Sequence, residues 1–96
     1  MPSRSASELP RRTAHAVHAL LAAQEDLRMP PKAAEVCLYD GEAVSVKATA
    51  AALRAAQREG LAIFVPPDLW TPTFRAMDQR AAFEDRYLAD TEVVAR

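Results

Sequence analysis

Residues 44–73 decide the fold of this chain, and they read VSVKATAAALRAAQREGLAIFVPPDLWTPT. Ser45 suits an N-cap position, because its hydroxyl can accept a hydrogen bond from an unpaired N–H group of the first helical turn. The alanine-rich run after it predicts a helix over residues 46–59. Gly60 stands where helices commonly end on a left-handed residue, so both ends of this helix are marked locally.

The residues after Gly60 predict a short hairpin and then a last helix. Residues 62–65 form a β-type run, and the Pro-Pro-Asp sequence behind them cannot continue a strand. Residues 69–71 can pair back as a second strand. Thr73 can cap a helix over residues 74–89. A two-stranded ribbon is marginally stable alone, so we expect it to pack on the helices.

Two further helices are expected before this stretch. Residues 1–9 are mostly small and polar and predict a flexible N-terminal arm. Pro10 suits a first helical turn, and the apolar spacing behind it predicts a helix over residues 10–25. A second, short helix is expected over residues 31–39. The residues predicted on its inner face are Ala34, Cys37 and Leu38.

Composition predicts one mainly α domain with a small β-hairpin. The chain has 96 residues, which suits a single domain, expected over residues 10–90 with a frayed C-terminal tail at residues 91–96. Alanine occupies 21 positions and glycine two, which favours helix over sheet. The ten arginines and many alanines are typical of GC-rich codons and indicate a bacterial or phage source.

Charge, hydropathy and cysteine content limit the class of protein further. No apolar run approaches the roughly 18 residues of a membrane-spanning helix, and no secretory signal is recognisable. Cys37 is the single cysteine, so no internal disulfide is expected, and a cytoplasmic location follows as an expectation. The net charge of −1 argues against a general polyanion binder, although residues 46–67 hold three basic side chains against one acidic side chain.

An ordered set of motifs resembles a winged helix-turn-helix of the MarR-like regulator kind. The motifs are Val44-Ser45, Thr49, Leu53, Gly60-Leu61, Trp70-Thr71 and Thr73. The resemblance covers roughly residues 12–90. It implies the order helix, helix, turn, helix, hairpin, helix, with residues 46–59 as the recognition helix in the major groove of double-stranded DNA. It also implies a transcriptional regulator or phage-type control factor.

The outward face of this helix carries the candidate DNA contacts. Lys47, Arg54 and Arg58 fall on one edge, where they can follow a phosphate strand. Ala48 and Ala51 permit close approach but offer bases no hydrogen bond, so we expect modest sequence specificity. The full predicted DNA-binding set is Ser45, Lys47, Ala48, Ala51, Arg54, Arg58, Arg11, Arg12 and Lys32. The alternative is that this face contacts no ligand. The alanines would then reflect helix propensity, and the basic side chains would simply be solvated.

Two departures from the family pattern keep a second function open. The expected wing tip ends in Asp68, and an aspartate near phosphates is repulsive. The turn of residues 39–45 holds Asp40 and Glu42 and is longer than the tight turn of the motif. The alternative function is a winged-helix protein–protein interaction module without DNA binding. A continuous positive face that joins the central helix to the other predicted cations would favour DNA.

The remaining polar and aromatic candidates have ordinary structural explanations. His15 and His18 lie one helical turn apart without an evident third metal ligand, so we expect structural histidines and no metal. Cys37 is expected to be a buried, inert thiol rather than a redox sensor. Trp70 is expected to pack the hairpin on the core rather than to stack on a base. No catalytic motif is recognisable, so we expect neither an enzyme nor a cofactor.

A homodimer is expected through the last helix. One apolar row is enough to dock this helix on its own domain, and the row assigned to docking is Phe74, Met77, Ala81 and Leu88. A second row, which includes Phe83 and Tyr87, would then stay exposed and form the dimer contact. The alternative is that another segment of the same chain covers this second row.

Overall fold

The computed structural model describes residues 4–94 and has a mainly helical architecture with one antiparallel hairpin, as predicted. The elements in chain order are α1 (Arg11–Leu27), α2 (Val46–Arg58), β1 (Ala62–Val65), β2 (Leu69–Pro72), α3 (Phe74–Asp78) and α4 (Arg80–Val94). Two short 3-10 turns lie at Ala6–Glu8 and Ala33–Glu35. The described residues therefore form a small α+β fold.

Helix α1 lies at the centre of the fold. It packs against α2, α3, α4 and β2, so it is covered from several sides at once. Its buried residues are Thr13, Ala14, His15, Ala16, Val17, Ala19, Leu20 and Leu21. Three of these are alanines, whose small side chains allow neighbouring helices to approach closely. The core of the domain is therefore built around α1.

Helix α2 begins where the sequence predicts. The Ser45 hydroxyl accepts a hydrogen bond from the Ala48 N–H group at 3.2 Å, which satisfies one of the unpaired donors of the first turn. The Thr49 hydroxyl donates to the Ser45 carbonyl at 2.9 Å, so a buried polar side chain is paired within the helix. Thr49 and Leu53 are buried against the core, and this contact fixes the orientation of α2.

The C-terminal end of α2 is closed by a Schellman motif. Gly60 has a φ of 76°, a left-handed value that a side chain would strain. The Gly60 N–H group donates to the Gln57 carbonyl, and the Leu61 N–H group donates to the Ala56 carbonyl, each at 3.0 Å. Leu61 is fully buried, so it supplies the apolar contact that accompanies this motif. The helix therefore ends at the glycine that the sequence indicates.

The hairpin packs on the core through Trp70. Strands β1 and β2 pair antiparallel, with Phe64 opposite Trp70 and ring centroids 5.0 Å apart. Trp70 is buried, so its expected packing role is confirmed. The backbone N–H group of Trp70 also donates to the Pro31 carbonyl at 2.8 Å. The Thr71 hydroxyl donates to the Gln24 side-chain oxygen at 2.9 Å. These bonds tie the ribbon to α1 and to the segment after it.

The short helix expected over residues 31–39 does not form. Only the 3-10 turn Ala33–Glu35 is helical, and Val36 is extended, with a φ of −86° and a ψ of 106°. The Leu38 backbone N–H group donates to the Val36 carbonyl at 3.0 Å, so the chain turns at Cys37. Val36 and Leu38 are buried, and Cys37 is exposed rather than buried.

The last helix is divided, and its buried face is the opposite of the predicted one. The helix is interrupted at Gln79, which separates α3 from α4. Phe83 is 1% exposed, whereas Leu88 is 54% exposed and Phe74 is 84% exposed. Tyr87 is half-buried beside α1. The predicted dimer contact through Phe83 and Tyr87 is therefore covered within the same chain, because α1 packs on that row.

Within the described residues, both terminal segments form more regular structure than the sequence predicts. Ala6 and Leu9 are buried, and the Arg86 guanidinium donates to their carbonyl oxygens at 2.8 and 3.1 Å. The part of the expected arm from residue 4 therefore packs on α4. Helix α4 continues to Val94, beyond the predicted start of fraying. Residues 1–3 and 95–96, which belong to the predicted arm and tail, lie outside the described residues.

The burial of Phe83 predicts a stability effect rather than a dimerisation effect. We expect Phe83→Ala to lower the free energy of unfolding by about 3–5 kcal/mol, because it removes a ring from a packed core. Leu88→Ala on the same helix should change it by no more than about 0.5 kcal/mol. Urea unfolding followed by circular dichroism measures both. Equal losses for the two variants would contradict the observed orientation of α4.

Candidate nucleic-acid interface

The exposed side of α2 forms a positively charged surface. Lys47, Arg54 and Arg58 are exposed, and the sequence of residues 46–58 contains no acidic residue. Among residues 4–91, no hydrogen bond or ion pair engages these three side chains. Their charges are therefore available to a ligand. We call Lys47, Arg54, Arg58 and the alanines Ala48, Ala51 and Ala55 the α2 face.

The shape of the α2 face matches its charge. Ala51 is exposed and Ala48 and Ala55 are half-buried, so the centre of the face carries only methyl groups. Lys47 and Arg58 are separated by about 16 Å along the helix axis at the usual rise per residue. Because α2 is anchored by Leu53 and capped at both ends, the face is held on a rigid element.

Glu59 lies next to the α2 face, and its carboxylate forms an ion pair with Arg4. The Arg4 guanidinium donates to the Glu59 carboxylate at 2.5 Å. This hydrogen bond is the main reason why the pKa of Glu59 lies below its usual value. The pairing leaves Arg58 without a competing carboxylate from its neighbour in sequence.

The other predicted cations are paired with acidic side chains. Asp40 lies 3.0 Å from the Arg11 guanidinium and 3.4 Å from the Arg12 guanidinium. Lys32 lies 3.8 Å from Asp68, and both of these side chains are exposed. The structure therefore does not join the predicted set into one uninterrupted positive surface. Unpaired positive charge is concentrated on α2.

The predicted histidine pair has two different surroundings. The His15 ring is 2% exposed, and its Nε2 atom lies 2.7 Å from the Asp90 carboxylate. The His18 ring stacks on Tyr87 with centroids 4.5 Å apart and an angle of 6°. Among the side chains described, which are those of residues 4–91, no three potential metal ligands lie together. The two histidines therefore join α1 to α4.

A cavity that the sequence does not indicate lies beside these histidines. It has a volume of about 370 Å³ and is lined by His15, His18 and Tyr87 together with Glu35 and Cys37. It lies between α1 and the segment of residues 35–39. The cavity depends on a contact between distant segments, so the helix expected over residues 31–39 gives no indication of it.

Comparisons with known proteins add no family to this geometry. Neither a protein-family model, nor a curated protein, nor a solved structure matches the chain. Within residues 4–94, no helix combines the length and the apolarity that crossing a bilayer requires.

Asp90 links α4 to α1 through two hydrogen bonds. Its carboxylate accepts from His15 Nε2 at 2.7 Å and from Arg86 Nε at 3.0 Å. Burial acts to raise the pKa of Asp90, but the bonds from Arg86 and His15 outweigh it and lower the pKa below the ordinary 3.8. The ionised form therefore stabilises the folded state at neutral pH.

This shift predicts how stability depends on pH. The contribution of ionised Asp90 is present above pH 3.8 and is lost as the pH falls through the lower pKa of the folded state. Asp90→Asn should lower the free energy of unfolding by about 1 kcal/mol near pH 7, with a smaller loss near pH 3. Urea unfolding across this range measures the difference. Asp85→Asn, an exposed carboxylate on the same helix, is the control, and a loss independent of pH would contradict the assignment.

Proposed function

We propose that this chain binds double-stranded DNA through the α2 face and acts as a transcriptional regulator or phage-type control factor. The observation that carries the proposal is the set of three exposed, unpaired cations on a helix without acidic residues. A protein with a net charge of −1 that concentrates positive charge on one rigid face is suited to a local polyanion contact.

Physical complementarity to the major groove supports this function. The groove is wide enough to admit a helix, and phosphates line both of its edges. Lys47, Arg54 and Arg58 can contact phosphates while Ala51 lies close to the bases. Methyl groups can touch thymine methyls but cannot read the hydrogen-bonding pattern of a base pair. We therefore propose binding with modest sequence preference.

We also propose that the chain is a reduced winged helix-turn-helix. Support comes from the order of elements, in which the cation-bearing α2 is followed directly by a hairpin and by a helix capped by Thr73. The helix that normally precedes the recognition helix corresponds here to the turn Ala33–Glu35 and an extended segment. Asp68 in the hairpin turn would repel phosphates, so the contact is assigned to α2 and not to the hairpin.

A protein–protein interaction module is the second candidate, and two observations favour it. Asp40 and Asp68 pair with the other predicted cations, so acidic side chains interrupt the positive surface. Phe74 is 84% exposed, and Met77 and Leu88 are also exposed large apolar side chains on α3 and α4. Exposed apolar surface of this kind often marks contacts with partners. The two functions differ in what they require of the α2 cations. DNA binding would depend on these cations, whereas a protein module would not require them as a set.

The salt dependence of DNA binding tests the α2 face. Each phosphate contact releases counterions, so Lys47→Ala and Arg58→Ala should each reduce the slope of log affinity against log salt by about 0.9. Fluorescence anisotropy with a labelled random-sequence duplex measures this slope. Arg80→Ala is the matched control, since it removes the same charge from α4, where Arg80 pairs with Glu25.

Two results would count against DNA binding by the α2 face. The first is no measurable binding of the wild-type protein at low salt. The second is an equal loss for Lys47→Ala and Arg80→Ala, because the effect would then follow overall charge and not position on the surface.

Release of paired cations should strengthen the same interaction. Asp40→Asn removes the carboxylate that lies against Arg11 and Arg12, so both guanidiniums become available to phosphate. We expect DNA affinity to rise several-fold at low salt, with a steeper salt slope by about 1–2. Asp78→Asn, which removes the same charge from α3, is the control. An unchanged slope for Asp40→Asn would remove Arg11 and Arg12 from the interface.

A further inference from the structure

The cavity between α1, α4 and the segment of residues 35–39 has the dimensions of a small-molecule site. Its volume of about 370 Å³ lies in the lower part of the range of ligand pockets. Aromatic rings and alanines form most of its apolar wall, and Cys37 lies at its lining. It is separate from the α2 face, none of whose residues line it.

The charges around this cavity have one sign. Asp26 and Glu35 line it, and within the described residues no lysine or arginine does. The Glu35 carboxylate accepts a hydrogen bond from the Lys32 backbone N–H group at 2.9 Å, which holds it in place without a cationic partner. Burial lowers the pKa of His18, which keeps this ring neutral at pH 7. An anion is therefore disfavoured here, and a cation is favoured.

The inner wall of the cavity offers aromatic rings. His18 stacks on Tyr87, and His15 meets the same Tyr87 ring edge-on with centroids 5.0 Å apart. His15 is buried, and its Nδ1 atom has no hydrogen-bond partner. This nitrogen is enclosed by the protein itself, so a ligand in the cavity contacts the rings of Tyr87 and His18 and not His15 Nδ1.

We propose that this cavity binds a small organic cation that combines an aromatic ring with a protonated amine. Asp26 and Glu35 stabilise the ammonium charge, and the Tyr87 and His18 rings contact the aromatic part. A metal ion is a poorer occupant, since no three ligating side chains lie together in residues 4–91. Amine binding here does not require DNA binding by α2.

Two probes that share a ring and differ in charge test the proposal. Phenethylamine carries a protonated amine at pH 7, and 3-phenylpropionate carries a carboxylate on a similar chain. By isothermal titration calorimetry we expect phenethylamine to bind about tenfold or more tightly than 3-phenylpropionate, with a dissociation constant below about 10 mM. Equal affinity for the two probes, or no binding of phenethylamine up to about 10 mM, would overturn the proposal.

Variants locate the binding. The double variant Asp26→Asn with Glu35→Gln keeps the side-chain shapes and should weaken phenethylamine binding about three- to tenfold. Asp78→Asn, which does not line the cavity, should leave the affinity unchanged. Ala22→Phe fills the space from α1 and should abolish binding. Unchanged affinity in both cavity variants would overturn the location.

Cys37 provides an independent reporter that requires no substitution. It is the single cysteine of the chain and lines the cavity, so its alkylation by iodoacetamide reports on access to the site. Saturating phenethylamine should slow this alkylation several-fold, and saturating 3-phenylpropionate should not. Alkylation at the same rate with and without phenethylamine would place any bound amine elsewhere.

Discussion

The burial of α1 is the constraint on which the other elements depend. Helices α2, α3 and α4 and strand β2 all pack on it, and small side chains such as Ala14 and Ala16 permit the close approach. Because each of these elements turns its apolar side toward α1, its opposite side faces solvent. The exposure of the α2 cations is thus a consequence of the same packing that buries Leu53.

Those features that depend on local chemistry could be predicted from the sequence. The bounds of α2 follow from Ser45 and Gly60, which act through hydrogen bonds within a few residues. The hairpin follows from a β-type run on each side of a proline-rich turn, and Thr73 marks the start of α3 by the same capping chemistry. The three cations on the exposed side of α2 could also be assigned, because helical periodicity fixes which residues share a face.

Features that depend on contacts between distant segments could not be predicted. Residues 36–38 form no helix but turn at Cys37 between the buried Val36 and Leu38, and Cys37 is exposed rather than buried as expected. The last helix carries two apolar rows, and only its docking on α1 decides that Phe83 is buried. The pairing of Arg11 and Arg12 with Asp40 joins residues far apart in the chain, so the division between free and paired cations emerges only in the folded state.

The most direct test of DNA binding by α2 is a titration of the ¹⁵N-labelled protein with a random-sequence duplex, followed by amide chemical shifts. The account predicts that the largest shift changes fall within residues 46–58, with smaller changes near Arg11 and Arg12, and that added salt reverses them. Amide shifts that do not change at low salt would contradict it. Changes confined to α3 and α4 would contradict it as well, because they would place the contact on the exposed apolar side chains of those helices.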